Sequence, residues 1–374
     1  MRPPICDRFA IDVPLFAFSH YREVTAAVSR AGGFGVLGVL GFSPEELEEE
    51  LSWIDAHVDG RPYGVDLAIP DNMNVRDEQA LTTHALRARI PAEYWAFAQD
   101  FLRKYEIDPD VTVESDRDIP VGFMPDNAER AMEVVFRHPV RLVVQALGRV
   151  PPSMIQRGRA HGVPIGALVG AAKHAHRQIE AGVEVLIAQG YESGGHGAEL
   201  TTMVLTPQIV EAAQGRAAVL AAGGIVKGRQ MAAAMAMGAD GAWTGSLWLT
   251  ALESGVSPVV RKKLVRADSA DTLRTRSGSG KLSRQLHSAW TGAWETQSGL
   301  PPLAMPFQGQ LYAYVMDRAI KSAEAGNDKA LAVLNHIVGQ GVGLIDAQKP
   351  AGQIVREFRA DFEAAMARMR ALTV

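Results

Sequence analysis

Residues 217–249 read AAVLAAGGIVKGRQMAAAMAMGADGAWTGSLWL. A short apolar run (217–221) meets a glycine pair, Gly223-Gly224. A helical pattern follows over 228–237 and stops at Gly238. A second apolar run (241–245) ends in Gly245-Ser246. Strand, glycine turn, helix and strand in this order are the signature of βα units and a parallel sheet. Glycine just past a strand lets the backbone approach a ligand closely, and the N–H groups at the next helix start favour an anion. Two such turns in succession mark a candidate phosphate site, of the kind that barrels build after their last two strands.

The same alternation extends towards the N-terminus. Apolar or β-branched runs occur at 13–18, 34–39, 63–68, 120–123, 140–145, 164–169 and 183–188. Amphipathic patterns at 21–31, 44–56, 151–161 and 171–181 lie between them. With the two runs above this makes nine candidates, one too many for an eight-stranded barrel. The run 120–123 is set aside, because it closes a polar segment, 70–119, with dense charge and two aromatic clusters (Tyr94, Trp95, Phe97; Phe101, Tyr105). That segment reads as a helical excursion after the third strand. The remaining eight runs predict an α/β fold, a (β/α)8 TIM barrel over residues 1–255. A doubly wound open sheet competes with it, since periodicity does not separate the two. Residues 256–374 read as an all-helical addition packed on the barrel. Amphipathic patterns at 311–325 and 354–372 flank a glycine-dense turn, GQGVG (339–343). Residues 261–284 carry eight basic side chains, with SGSGK (277–281) read as a flexible loop.

Composition bounds the partners. The 374 residues carry 42 acidic and 38 basic side chains, 47% hydrophobic and 21% charged. These ordinary values exclude a disordered chain, a collagen-like fibre and a strongly basic nucleic-acid binder. The single cysteine, Cys6, allows no intrachain disulfide. Residues 1–12 lack the pattern of a signal peptide. The longest apolar stretch, 231–249, is broken by Gly238, Asp240, Gly241 and Gly245. The expectation is a cytoplasmic protein with no membrane or nucleic-acid partner.

In a parallel barrel the chemistry lies at the carboxyl ends of the strands. After the run 183–188 comes QGYESGGHG, Gln189 to Gly197. Four glycines within eight residues suit a loop pressed against a flat ligand. His196 at its centre can exchange a proton near neutral pH. The other histidines carry weaker signals. His174 and His176 sit two apart on a helix and face apart, a poor metal pair. His57, His84, His138, His161, His287 and His336 are expected to be solvated. No zinc spacing, P-loop or nucleophile elbow occurs, so no metal is expected. Gly32-Gly33-Phe34-Gly35 enters a strand rather than leaving one and is no dinucleotide fingerprint.

The segments 188–197 (AQGYESGGHG), 221–249 and 26–38 (AAVSRAGGFGVLG) resemble the nitronate monooxygenase family, formerly 2-nitropropane dioxygenase-like, which includes the flavin-dependent enoyl-ACP reductase II branch. The resemblance implies an FMN-dependent oxidoreductase. It would place the phosphate on Gly223, Gly224, Gly245 and Ser246, and the isoalloxazine over Phe16-Ala17-Phe18. Gly194, Gly195 and the catalytic His196 would lie near the reacting face, with Gln189 at the start of that loop. Asp66 stands where the family usually has asparagine beside the flavin pyrimidine, and Gln145 ends the strand that closes over the ring. Phe18 replaces the usual methionine of the first strand. An aspartate at 66 loses two N–H donors and adds an ionisable group.

Three functions follow. The first is oxidation of a nitronate on FMN without NAD(P)H. The second keeps FMN but uses NAD(P)H to reduce an enoyl or other acyl thioester, or a quinone, with the basic run 261–284 holding the phosphates of coenzyme A or an acyl carrier. The third is a barrel lyase without flavin, or a flavin binder without turnover. A homodimer is the default expectation for the assembly.

Overall fold

The computed structural model describes residues 3–39, 41–69, 82–118, 125–296 and 298–372. Eight strands, β1 (Leu15–Ser19), β2 (Phe34–Gly38), β3 (Tyr63–Leu67), β4 (Val143–Gln145), β5 (Ile165–Val169), β6 (Val185–Gln189), β7 (Ala218–Ala222) and β8 (Gly241–Thr244), form a closed parallel barrel in sequence order. Pairing of β1 with β8, Phe16 opposite Trp243, closes the ring and excludes the open sheet. The run 120–123 lies outside the described residues.

Strand alternation divides the side chains into two layers. Phe16, Phe34, Val36, Leu142, Val144, Val185, Ile187, Leu220 and Trp243 fill the lumen. Leu37, Val65, Val143, Ala167, Leu186 and Val219 face the helices. Ile5, Cys6 and Phe9 of the first helix, Pro4–Phe9, join the lumen cluster, and Phe9 packs edge-on against Phe16 at 5.3 Å. That helix plugs the amino end of the barrel. The carboxyl end remains for ligand access, as the fold requires.

No long helix follows β8 directly. The chain makes a short 3-10 turn, Ser246–Thr250, and the eighth place in the outer ring is filled much later by the helix Ala351–Ala371. It lies against the helices Gly228–Ala236 and Arg22–Arg30, and its Ile354, Val355 and Phe358 share a buried cluster with Val24, Val28 and Ala234.

The excursion after β3 is helical where it is described, with helices Thr83–Arg87 and Ala92–Lys104. Its aromatic residues form one apolar cluster with the C-terminal region. Phe101 meets Trp290 at 5.2 Å and Phe97 meets Trp294 at 5.2 Å. The buried Arg318 bonds the Pro109 carbonyl at 2.8 Å and Asp116 at 2.9 Å.

Two expectations need correction here. The C-terminal region carries the expected helices, Phe307–Glu324 and Ala351–Ala371, but it is not all-helical. Strands β9 (Thr272–Thr275) and β10 (Ser283–Leu286) form an antiparallel hairpin around the segment read as a flexible loop. Four of the eight basic side chains in 261–284 are held by the protein itself. Arg261 donates to the Ala251 carbonyl, and Lys263 to the Leu331 and Leu334 carbonyls. Arg274 pairs with Glu199, and Arg284 bonds the Tyr191 carbonyl. His138, expected in solvent, is buried between Asp55 at 2.7 Å and Glu48 at 3.3 Å.

The contact between the helices Gly228–Ala236 and Ala351–Ala371 tolerates no side chain at Gly228, whose Cβ would collide with the backbone at Phe358 and Phe362. Gly228→Ala should therefore lower stability by about 1–3 kcal/mol through overpacking. Gly292→Ala, in a helix where a Cβ meets nothing within 4 Å, should raise it by about 0.5–1 kcal/mol. Paired chemical denaturation curves measure both.

Candidate active site

The site is assembled from three loops at the carboxyl rim. The loop after β6 is the most constrained. The carboxylate of Glu192 accepts from the Thr202 backbone N–H at 2.8 Å, at the start of the helix Thr202–Ala213. The Glu192 carbonyl accepts from Gln340 N–H at 2.9 Å. Gly195 and Arg284 of β10 exchange both backbone hydrogen bonds, at 3.0 and 2.8 Å, as one antiparallel bridge. Gln285 bridges in turn to Ile337. The glycine-rich loop is thus pinned to the edge of the hairpin at one residue. A Cβ on Gly194 would approach Val338 and Gly339 to 2.9 Å, so glycine permits this approach.

The bridge carries His196 to Ser279 in the hairpin turn. His196 Nε2 lies 2.8 Å from Ser279 Oγ, and Ser279 Oγ donates to the Lys281 carbonyl at 3.1 Å. A serine hydroxyl has one proton. With that proton on the Lys281 carbonyl, Ser279 accepts from His196 Nε2–H. The neutral ring then holds its lone pair on Nδ1. Burial first, and the Lys281 ammonium second, hold His196 below the ordinary histidine range. Burial therefore favours the neutral ring at neutral pH. The turn is itself anchored: Trp290 Nε1 and Gln308 Nε2 donate to the Ser277 carbonyl at 3.1 and 2.9 Å.

The loop after β7 places Gly223 and Gly224 at φ of +110° and +71°, the left-handed region that favours glycine. Gln230 fixes it. Its Oε1 accepts from the Val226 and Lys227 N–H groups and its Nε2 donates to the Gly224 carbonyl at 2.8 Å. After β8, Ser246 Oγ accepts from Gly339 N–H at 2.8 Å, so its own proton can serve a ligand. A Cβ at Gly245 would meet only Phe18 Cδ1, at 3.8 Å, an ordinary contact.

Phe18 and Asp66 project into the lumen mouth. Phe18 stacks over Trp243, with ring centroids 6.3 Å apart, and covers Gly38. Asp66 is 4% exposed, its Oδ1 has no hydrogen-bond partner, and burial alone pushes its carboxyl well above the usual range. Gln189 ends β6 in the same alternation as Val185 and Ile187. Gly194, Gly195, His196, Gly223, Gly224, Gly245, Ser246, Phe18, Asp66 and Gln189 therefore share one rim. The Ala17 side chain instead faces the helical layer. The Gln145 amide accepts from Ile69 N–H and donates to the Ile69 and Leu147 carbonyls, tying the loops after β3 and β4 together.

Sequence reading missed Ser279, Arg284 and the segment 336–340. It also missed His20 after β1, whose Nδ1 meets the Gly38 carbonyl at 2.9 Å. The signal for Ser279 was the SGSGK turn, but nothing local announced its partner 83 residues away.

Comparison with known proteins places this rim in context. The nitronate monooxygenase family profile matches residues 11–361. The chain belongs to the nitronate monooxygenase family. It is 41% identical to Rv1533 of Mycobacterium tuberculosis, whose description is that of a monooxygenase, over 97% of this chain and 96% of that one. A Staphylococcus haemolyticus protein described as a nitronate monooxygenase is 25% identical over 89% of this chain and 92% of its own. Among solved structures, nitroalkane oxidase from Streptomyces ansochromogenes superposes with a TM-score of 0.76 at 25% identity, covering 98% of this chain and 99% of that one. FabK from Thermotoga maritima gives 0.72 at 25% identity, over 100% and 99%. The protein is accordingly an oxidoreductase enzyme of this family, acting on a small molecule. Among the described residues, no helix is long and apolar enough to cross a membrane, and no group of three or more potential ligands could hold a metal ion.

The buried Asp66 carboxyl makes a prediction about the protein without ligand. The folded state holds its proton to higher pH than the unfolded state does, so the folded state binds more protons between the two pKa values. Wild-type stability should then fall as pH rises from the ordinary carboxylate range towards the raised value, by at most about 1.4 kcal/mol per pH unit. Asp66→Asn should lose that slope, so its advantage over wild type grows with pH. Denaturation midpoints of both proteins across that range check it.

Proposed function

We propose that the enzyme uses FMN at the carboxyl rim to oxidise nitroalkane-derived substrates, with His196 as the base. The observation that carries this reading is the His196 imidazole, held 2.8 Å from Ser279 Oγ through Nε2 beside two glycine turns and kept below the ordinary histidine range by burial. The residues fit the cofactor. Gly223 and Gly224 hold a left-handed turn whose backbone can approach a phosphate, Ser246 retains a donor, and a Cβ at Gly245 would meet only Phe18 Cδ1. The unpartnered Asp66 oxygen faces the lumen, where a ring would need a polar contact.

FMN, when bound, supplies the electron-accepting ring. The chain's own residues handle the proton and the substrate. Nδ1 of His196 takes the acidic proton α to a nitro group. The resulting imidazolium pairs with the nitronate anion, which offsets the cost of charging a half-buried ring beside Lys281. Ser279 keeps the ring from turning. Phe18 and Trp243 exclude water from beneath the substrate. A nicotinamide-driven reductase of acyl thioesters fits less well. Four of the eight basic side chains that would hold a coenzyme A phosphate are engaged within the protein.

The purified enzyme should be yellow. Under anaerobic conditions the flavin should bleach with a nitronate and stay coloured with NADH or NADPH; bleaching by a nicotinamide within seconds would favour the reductase. His196→Ala should keep its flavin and lose about 100-fold or more in turnover of a neutral nitroalkane. Steady-state rates near wild type would remove His196 from the mechanism.

A further inference from the structure

The aspartate at the end of β3 is the polar group that the fold leaves most exposed to question. It lies in the middle of a strand wall, opposite Gly38 of β2 and Val144 of β4. Neither neighbour offers a hydrogen bond or a charge. Phe18 covers Gly38 from the side of β1, and His20 directs Nδ1 to the Gly38 carbonyl. His196 bonds Ser279 on the loop after β6, and the Lys281 ammonium acts on His196 rather than on Asp66. No described cation interacts with Asp66, and burial is the only influence on its ionisation.

An ionised carboxylate buried without a donor or counter-charge costs several kcal/mol. A carboxylic acid costs far less, because it carries no net charge. The acid also presents an O–H, the one donor that an aspartate can offer. A buried strand wall that supplies no acceptor for this O–H requires the ligand to supply one.

We propose that Asp66 is a protonated acid at neutral pH and donates its O–H to an acceptor atom of the bound flavin ring, so that flavin binding is linked to retention of one proton. This rests on the FMN reading above and goes beyond it by assigning the protonation state. The acid form does for the ring what an amide N–H would do, but only while the proton stays. It also keeps negative charge away from a site that receives a phosphate and a nitronate. Raising the pH through the Asp66 pKa converts a donor into a repelling anion, and affinity for flavin falls.

The test is flavin binding to the deflavinated enzyme, followed by flavin fluorescence quenching from about pH 6 to about pH 9, for wild type and Asp66→Asn. The wild-type Kd should rise with pH by up to tenfold per unit beyond the Asp66 pKa, and the Asp66→Asn Kd should stay level. Superimposable pH profiles for the two proteins would overturn the proposal while leaving FMN as the cofactor. Absence of flavin binding in both would overturn the FMN reading instead. Infrared spectroscopy of the wild-type holoenzyme gives a second readout that does not depend on the variant folding. A protonated carboxyl stretch at pH 7 that shifts when FMN is removed supports the assignment. A spectrum with no protonated carboxyl stretch refutes it.

Discussion

The pair of backbone hydrogen bonds between Gly195 and Arg284 is the constraint on which the site depends. Without it the loop after β6 would be a glycine-rich segment with many accessible conformations, and ordering it would cost about 1–2 kcal/mol per residue. The bridge pins the loop to the hairpin and brings a serine from the hairpin turn to His196. The setting of the imidazole is then a product of backbone pairing rather than of the histidine itself. The Arg284 side chain strengthens the same junction. It lies over the Tyr191 ring at 4.6 Å while donating to the Tyr191 carbonyl, and Arg274 covers the ring at 4.9 Å. Two guanidinium groups that look like a ligand-binding surface in the sequence hold the loop in place.

The hairpin is rigid because of what lies behind it. Its turn hangs from Trp290 and Gln308, and Trp290 is fully buried among the aromatic residues of the excursion after β3. The excursion and the C-terminal region share one apolar core, and that core backs the rim. The last long helix then returns to the barrel and completes its outer ring, so both ends of the addition are fastened. A perturbation at Trp290 would travel to Ser279 through one hydrogen bond, to the Ser277 carbonyl, and the backbone of the turn, without touching a barrel strand.

The barrel was legible in the sequence because its signal is local. Each strand is a run of about five apolar residues between glycine turns and helical periodicity, and the eight runs match the observed strands to within a few residues. The competing open sheet had the same local pattern. Only the pairing of Phe16 with Trp243, remote in sequence, separates them. The hairpin was illegible for a related reason. TLRT and SRQL are short, polar and arginine-bearing, and their strand character comes from pairing with each other, and for SRQL also from partners at 195 and 337, rather than from their own composition. The rim glycines and His196 were readable as glycine spacing around one titratable residue. Ser279 was not, because a serine acquires meaning only from what its hydroxyl meets. Gln145 looked like a ring contact by position, yet strand parity turns its amide to the backbone of Ile69 and Leu147.

The rim combines two titratable groups that burial drives to the uncharged form, an imidazole below its usual range and a carboxyl above its own. The effect of burial is the same in each case, and the signs differ only because one is charged when protonated and the other when not. The consequence is a mouth whose two titratable groups are both driven towards the uncharged form. On the function proposed above, such a site would admit a neutral nitroalkane without desolvating a charge on either group, and would generate charge only when the proton moves to His196. A lysine or arginine pointed at Asp66 would ionise it and remove the donor, and a carboxylate beside His196 would protonate the base prematurely. Among the described residues neither is present. The arrangement of absences around these two side chains is therefore as much a part of the chemistry as the groups themselves.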